Sequence, residues 1–435
     1  MSRVVILTAG SRGAIQPYVA LGLGLSRAGY QVCLGTDESY RDFVTCRGLE
    51  FRAVPDPAPE EPGTPAGEEG DGEPTLGWAL TTARFDPLRT IRRLLQLRKK
   101  SEPGLRAVLA SSWAACQGAD AIIGNYLAVG APHVAERMRV PFLWALVQPA
   151  GRTTRFPYFL APYQLRLGPP YNWLSHVVAE QVFWELQRRT VDRWRARSLG
   201  LPPLEHSSPY RFTRHRGRPV IYEFSPGLVP RPPDWPSHMQ ITGYWFLDRE
   251  PGWQPPASLV DFLAERDDPP VSIGFGSLQD DSSDNLVDLA EAALAATDRR
   301  GIVLAGDSGE PGRKLSDRVY LLDSVPHDWL FPRMSAVVHH GGAGTTAAGL
   351  RWGRPTVTVP HFADHHFFAR QVAEAGAGPP PIPRPELSAK RLAAAIRVAT
   401  TDPRMRAAAG ALSQSIAAEN GVERAVEIFR SLCPA

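Results

Sequence analysis

Short apolar runs recur along the chain, separated by loops and by longer helical stretches. Val4 to Leu7 is an apolar strand near the N-terminus, followed by a loop from Thr8 to Gln16. A helix is predicted to open at Pro17 and close at Gly29, and Gln31 to Gly35 forms the next strand. This strand–helix–strand beginning predicts a parallel sheet. Ala121 to Gly124 and Pro141 to Val147 read as further buried strands, with a helix around Val134 to Arg139 between them. A second such series begins after Pro270. It comprises a strand Val271 to Phe275, a helix Asn285 to Thr297, and strands at Gly301 to Ala305, Val319 to Leu322 and Ala336 to Val338. Helices from Pro385 onward close the chain, the last of them Gly421 to Leu432.

Between these units the pattern changes character. Residues 55–75 are acidic and rich in proline and glycine, with no hydrophobic period, so they cannot bury enough apolar surface to offset ordering; a mobile insertion is expected. Phe85 to Arg106 is a basic helical stretch that reads as a solvated face, with a membrane-surface role as the other reading. The aromatics between 148 and 200 (Phe156, Tyr158, Tyr163, Trp173, Trp184 and others) support a helical region packed on the first sheet. Some of them could wall an apolar acceptor cleft. Pro226 to Pro256 is proline-dense and reads as a linker.

With 435 residues, two or three domains are expected, and 43% hydrophobic content allows sizeable cores. A net charge of only +3 gives no electrostatic case for nucleic acid as a partner. Cys33, Cys46, Cys116 and Cys433 form no CxxC pair, and no stretch is apolar enough to be a signal or a membrane span. A cytoplasmic protein is expected, with peripheral membrane contact left open.

The densest chemistry lies in Ser335 to His366. A β-branched run leads into His339-His340-Gly341-Gly342-Ala343-Gly344-Thr345-Thr346, then into small residues suited to a helix, then into a second strand, Thr356 to Val359. Glycines let backbone approach a phosphate, and first-turn amides with the helix dipole favour an anion. The second strand delivers Asp364, His365 and His366 to the same sheet edge, where α/β proteins bind ligands. Five of the eleven histidines fall here, yet no HExxH or CxxC accompanies them, so hydrogen bonding to phosphate and sugar oxygens is favoured over a metal site. The loop Ser11 to Pro17 carries neither GxGxxG nor a P-loop, and no GxSxG hydrolase elbow is present.

This segment resembles the donor-binding signature of GT-B glycosyltransferases that use UDP- or dTDP-sugars, in the sterol-glucosyltransferase-like and antibiotic-glycosyltransferase branch. The resemblance implies an α/β fold of two Rossmann-like domains facing a cleft. Residues 1–225 would bind the acceptor, 226–256 would link, and 257–412 would bind the nucleotide-sugar, with 413–435 crossing back. It implies that His340 contacts the α-phosphate and that Gly342, Gly344 and Thr345 hold the rest of the diphosphate. Gly276 and Ser277 would form a second phosphate-side loop, while Ser324 and Val325 would flank the base. An Asp-Gln pair that holds sugar hydroxyls reads Asp364-His365 here, and a ribose-binding glutamate of many relatives is Ala348. The implied reaction is inverting transfer to a small lipophilic acceptor, with no metal and no cofactor beyond the sugar donor.

One group is missing. An alcohol is a poor nucleophile until its proton leaves, so transfer to a hydroxyl calls for a base near the acceptor. Members of the family place an Asp or His in the first loop, within Gly-Asp-x-Gln-Pro. Here Ser11, Arg12 and Gly13 lead into Ala14-Ile15-Gln16-Pro17, so the family's base position holds alanine. Asn125 stands where some relatives carry an acid that supports a catalytic histidine. Three explanations stay open: an engineered inactive form; a natural enzyme whose base lies elsewhere or whose acceptor is an amine or already acidic and needs little help; or a former transferase turned to other chemistry or to binding only.

Overall fold

A computed structural model describes residues 1–56, 87–161, 167–204, 208–212, 219–275, 283–304, 306, 312–361 and 364–434. Of the insertion at 55–75, only Pro55 and Asp56 fall among them; Tyr163, Gly276 and Ser277 lie outside the described residues.

The first sheet contains β1 (Arg3–Leu7), β2 (Gln31–Thr36), β3 (Glu50–Ala53), β4 (Ala121–Gly124), β5 (Phe142–Leu146), β6 (Val220–Tyr222) and β7 (Met239–Ile241). Its order is β3-β2-β1-β4-β5-β6-β7, with every pair parallel. The second sheet contains β8 (Val271–Gly274), β9 (Gly301–Leu304), β10 (Arg313–Lys314), β11 (Val319–Leu322), β12 (Ala336–His339) and β13 (Thr356–Thr358), in the order β10-β11-β9-β8-β12-β13. Only the short β10–β11 pair is antiparallel. The central strands β4, β5, β8 and β12 are buried along their whole length, which is why they read as continuous apolar runs rather than alternating ones. Strand order reverses between β1 and β4 in one sheet and between β8 and β12 in the other. Loops leaving β1 and β12 therefore open into crevices at the carboxyl ends, where such sheets bind ligands.

Three elements differ from their sequence pattern. The first helix runs from Arg12 to Arg27, beginning five residues before Pro17. Proline there forfeits one bond, because it has no N–H to offer the Gly13 carbonyl, while Ile15, Tyr18, Val19, Leu21 and Leu25 bury completely beneath it. The Tyr18 hydroxyl also donates to the Ala145 carbonyl at 2.6 Å. Second, the proline-dense stretch 226–256 is not linker throughout, because Met239 to Ile241 pairs with Val220 to Tyr222 as β7. Prolines flank that strand without entering it, so its ladder is intact. Third, the helix expected at Val134 to Arg139 spans Ala131–Met138, and Arg139 leaves it in the left-handed conformation at φ 58°.

The aromatic region folds as the helix Pro169–Trp194, in which Trp184 is fully buried while Trp173 remains 45% exposed. The basic stretch lies in the helix Pro87–Ala115. No described helix is long and apolar enough to cross a membrane. The final helix, Gly421–Leu432, packs on the first one: a Cβ on Gly24 would meet Val422 at 2.4 Å, and the Tyr30 and Phe429 rings stand edge to face at 5.3 Å. Apolar contacts continue from one sheet unit to the other, with Phe156 against Phe367 at 5.2 Å between ring centres.

Candidate functional site

β12 ends at the buried His339, whose Nδ1 accepts the Gly341 amide at 2.9 Å. This fixes a proton on Nε2 and makes His339 a brace for the turn. Gly341 has φ 90°, and a Cβ there would stand 2.9 Å from the His365 carbonyl; strain and space both require glycine. Gly342 is the N-cap of the helix Ala343–Arg351, and the His340 ring lies so close over it that a Cβ would meet Nε2 at 2.4 Å. His340 is half-buried, and its Nδ1 has no hydrogen-bond partner among the described residues. A buried ring nitrogen without a partner beside a helix N-terminus is chemistry waiting for an anionic oxygen.

The histidines of this edge form one group. The His340 ring centre lies 4.6 Å from His365 and 6.5 Å from His361. Burial holds His340 and His365 well below the usual histidine value, and mutual repulsion with neighbouring histidines adds to it. They are neutral at pH 7 and able to donate one N–H each. His361 is fixed between two partners: Nδ1 lies 2.8 Å from the Val359 carbonyl, so it donates, and Nε2 lies 2.9 Å from Arg384 Nη1, so it accepts. Arg384 thereby brings a guanidinium behind the cluster. Nothing near it in sequence pointed to that role, because it arrives from beyond the next helix.

Asp364 is the N-cap residue of the helix His365–Glu374. Its Oδ2 accepts Gln148 Nε2 at 3.0 Å, a bond that joins the end of the first sheet to the second. Burial raises the Asp364 carboxyl and the Gln148 bond opposes that rise. Gln148 carried no signal in the sequence. At the far side of the crevice, Ser324 is exposed and Val325 buried after β11, and the His327 ring stacks on Phe331 at 4.3 Å. Burial, with the Arg12 guanidinium across the crevice adding to it, lowers His327 to about 4. Trp329 is core, packed on Trp253 and under Arg333.

The loop after β1 faces this site from the other sheet. Ser11, Arg12 and Gly13 are exposed and Ala14 is half-buried. A Cβ on Gly344 would sit 3.7 Å from both the Cα and the carbonyl oxygen of Gly13, so the first loop lies against the histidine–glycine turn. Thr345 is half-buried one residue further on. Asn125 is not turned to the crevice. Its amide donates to Thr8 Oγ1 and the Ala9 carbonyl, and its oxygen accepts the Leu127 and Ala128 amides, which spends the side chain on tying β4 to β1. The geometry thus brings together His340, Gly342, Gly344, Thr345, Asp364, His365 and the Ser11–Ala14 loop, and leaves Asn125 behind them.

Comparison with known proteins agrees at both ends of the chain. Residues 4–157 match the glycosyltransferase family 28 N-terminal domain, and residues 290–432 match the C-terminal domain of erythromycin biosynthesis protein CIII-like proteins. The chain is 39% identical over 433 residues to O-mycaminosyltylonolide 6-deoxyallosyltransferase of Streptomyces fradiae, covering 97% of this chain and 96% of that one. It is 35% identical over 441 residues to sterol 3-beta-glucosyltransferase of Candida albicans, covering 98% of this chain but only 27% of the relative. This chain therefore spans about a quarter of the length of such sterol enzymes. Among solved structures, glycosyltransferase VinC in complex with DTDP aligns with a TM-score of 0.66 and 20% identity over 99% of both chains. The glycosyltransferase SnogD from Streptomyces nogalater aligns at 0.64 and 17%, again over 99% of both chains, and these likenesses speak for the fold. With two facing Rossmann-like sheets and these relatives, the chain belongs to the GT-B glycosyltransferases, in the branch that holds sterol and macrolide sugar transferases.

Proposed function

We propose that the chain moves a sugar from a UDP- or dTDP-sugar to a hydroxyl of a small lipophilic acceptor of sterol or macrolide type, with inversion and without a metal. The observation that carries this reading is the close approach of Gly13 to Gly344, which sets the first loop against the histidine–glycine turn. The diphosphate would lie on the N-terminus of the helix Ala343–Arg351, held by its amides, Thr345 and the neutral His340. Gly276 and Ser277 would complete the phosphate side, and Ser324 with Val325 would border the base. Asp364, with Gln148 and His365 beside it, would hold the sugar hydroxyls and orient the anomeric carbon toward the first loop. The acceptor oxygen then attacks that carbon as the carbon–diphosphate bond breaks; the departing electron pair goes to the phosphate oxygen and the hydroxyl proton to solvent water. Backbone amides and histidine N–H groups at that oxygen lower the barrier most where charge develops.

Ala14 favours a second reading, a GT-B protein that binds its ligands without transferring sugar. Donor turnover separates the two. The parent chain is supplied with UDP-glucose or dTDP-glucose and, in turn, a 3β-hydroxysterol and a macrolide lactone, and product is followed by mass. Glycosylated acceptor supports transfer; nucleotide binding by calorimetry without any product supports the binding reading.

A further inference from the structure

The described side chains of the donor turn are neutral. Burial keeps His340 and His365 uncharged at pH 7, and the helix Ala343–Arg351 offers amides and a dipole end rather than a full positive charge. A nucleoside diphosphate carries negative charge on each phosphate, and a charged donor facing it is worth more than another neutral one. The guanidinium groups of the segments around this helix are already bound. Arg351 pairs with Asp248, Arg384 donates to His361, Arg354 donates to the Pro332 carbonyl, and Arg249 pairs with Asp328.

Arg12 is different. It opens the first helix, its side chain is exposed, and it has no carboxylate or hydrogen-bond partner among the described residues. Its guanidinium lies over the Phe43 ring at 5.0 Å, and the Arg47 guanidinium lies over the same ring at 4.2 Å. Glu250 pairs with Arg47, so that carboxylate is spent. Arg12 also stands close enough to His327, across the crevice, to disfavour its protonation, and His327 does the same to His339 and His340. The residue after Arg12, Gly13, lies against Gly344 of the histidine–glycine turn, where the buried His340 Nδ1 is without a partner. A cation set between a second cation and a row of histidines, with no described anion facing it, takes its counter-charge from outside the chain.

We propose that Arg12 binds the diphosphate of the nucleotide-sugar from the acceptor-side sheet, supplying the full positive charge that the donor turn does not. This rests on the nucleotide-binding part of the reading above. The helices Arg12–Arg27 and Ala343–Arg351 meet at their N-termini, at Gly13 and Gly344, so two dipole ends and one guanidinium converge on one place. Charge that builds on the leaving oxygen as its bond to the sugar breaks is met there by a fixed cation. The cation belongs to the opposite sheet, so the phosphate site is complete only while both units hold the register that puts Gly13 on Gly344.

The test compares the parent with Arg12→Gln and Arg12→Lys by calorimetry at low salt. The ligands are UDP or dTDP and the matching nucleoside without phosphate, with displacement of UDP or dTDP used to read the weak one. Arg12→Gln should weaken UDP or dTDP about tenfold or more and leave the nucleoside within about twofold of the parent. Arg12→Lys should stay within about threefold of the parent, because a point charge keeps most of the attraction. A smaller loss of UDP or dTDP in Arg12→Gln overturns the assignment. Equal weakening of the nucleoside also overturns it, because Arg12 would then act on the base, the ribose or the fold. Arg12→Lys as weak as Arg12→Gln overturns it too, because charge would not be what binds. None of these readouts needs sugar transfer. A parent that binds UDP or dTDP through Arg12 and yields no glycosylated product overturns the transfer reading and leaves this one standing. A parent that binds neither nucleotide overturns both.

Discussion

The loop after β1 and the loop after β12 each turn a buried strand into a helix start through a glycine of positive φ, Gly10 at 117° and Gly341 at 90°. Both open at a reversal of strand order, and they touch each other at Gly13 and Gly344. Their side chains differ completely. The second loop carries its chemistry within a few residues, with His339 bracing the turn, His340 over Gly342, and His365 opposite. The first loop ends in Ala14, and its Gly10 amide donates to the Asp56 carboxylate beyond β3. One shape can therefore carry a dense cluster of side chains or almost none, and only the first arrangement announces itself as a motif.

Four substitutions break or sharpen that contrast. The largest effect should come from Asp364→Ala. Loss of one strong bond to the reacting sugar should lower kcat on the order of 10²-fold while UDP or dTDP affinity changes little. Equal losses in both would move Asp364 out of the sugar site and into the nucleotide site or the fold. Next is His340→Ala, for which calorimetry should show UDP or dTDP binding weakened by roughly 1.5–3 kcal/mol. Unchanged affinity in a folded variant would leave the second loop as bare as the first. A matched pair follows. Gly342→Ala places a methyl against His340 Nε2, whereas a Cβ on Gly13 meets only Ser11 Oγ, at 3.9 Å. Gly342→Ala should weaken nucleotide binding by about 1 kcal/mol and Gly13→Ala should not; the same loss for both would show that the loops share the diphosphate equally.

The smallest effect concerns pH and has opposite signs in the two regions. Burial lowers His366 from 6.5 to about 4. Between those values the unfolded chain binds more protons, so this stability is full above about 6.5 and falls as the pH drops toward 4. Glu223, at the end of the first sheet, is raised from 4.5 to about 8. Here the folded chain holds the extra proton, so stability is full below 4.5 and is lost as the pH rises through about 8. Glu223→Gln should therefore raise thermal stability at pH 8, on the order of 1 kcal/mol, and raise it less at pH 5. A Tm gain that is the same at both values would show that Glu223 does not titrate with folding.

What could be read from the sequence followed from how local each feature is. The alternation of short apolar runs with helical stretches is enough to place two parallel sheets, and the turn from His339 to Thr345 is contiguous. Gln148 and Arg384 were not legible as parts of the site, because each reaches it from a different strand or loop. Gln148 contacts Asp364 across 216 positions and Arg384 contacts His361 across 23. Proline misled in two places for the same reason. Pro17 signals a helix start, yet a helix tolerates it early when an apolar face lies beneath, and the prolines around Met239 to Ile241 mask a strand that contains none. Asn125 was singled out only because some relatives carry an acid there, and its side-chain hydrogen bonds run to Thr8, Ala9, Leu127 and Ala128, a network that no local pattern announces.

The chain passes between the two sheet units twice, and the passages lie side by side. A Cβ on Gly243 would meet Glu419 at 2.8 Å, a Cβ on Gly421 would meet the Tyr244 carbonyl at 2.4 Å, and Ser225 donates to Glu419. A single tether lets two bodies swing about any axis. A two-ply strap, bonded across its width, bends along one line and resists twist and stretch. Any motion of one unit against the other would then be held to that one line, keeping Gly13 and Gly344 in register. The strap also means that neither half is a separable module. A cut after residue 412 removes the helix that packs on Gly24 and exposes the apolar face of the first helix.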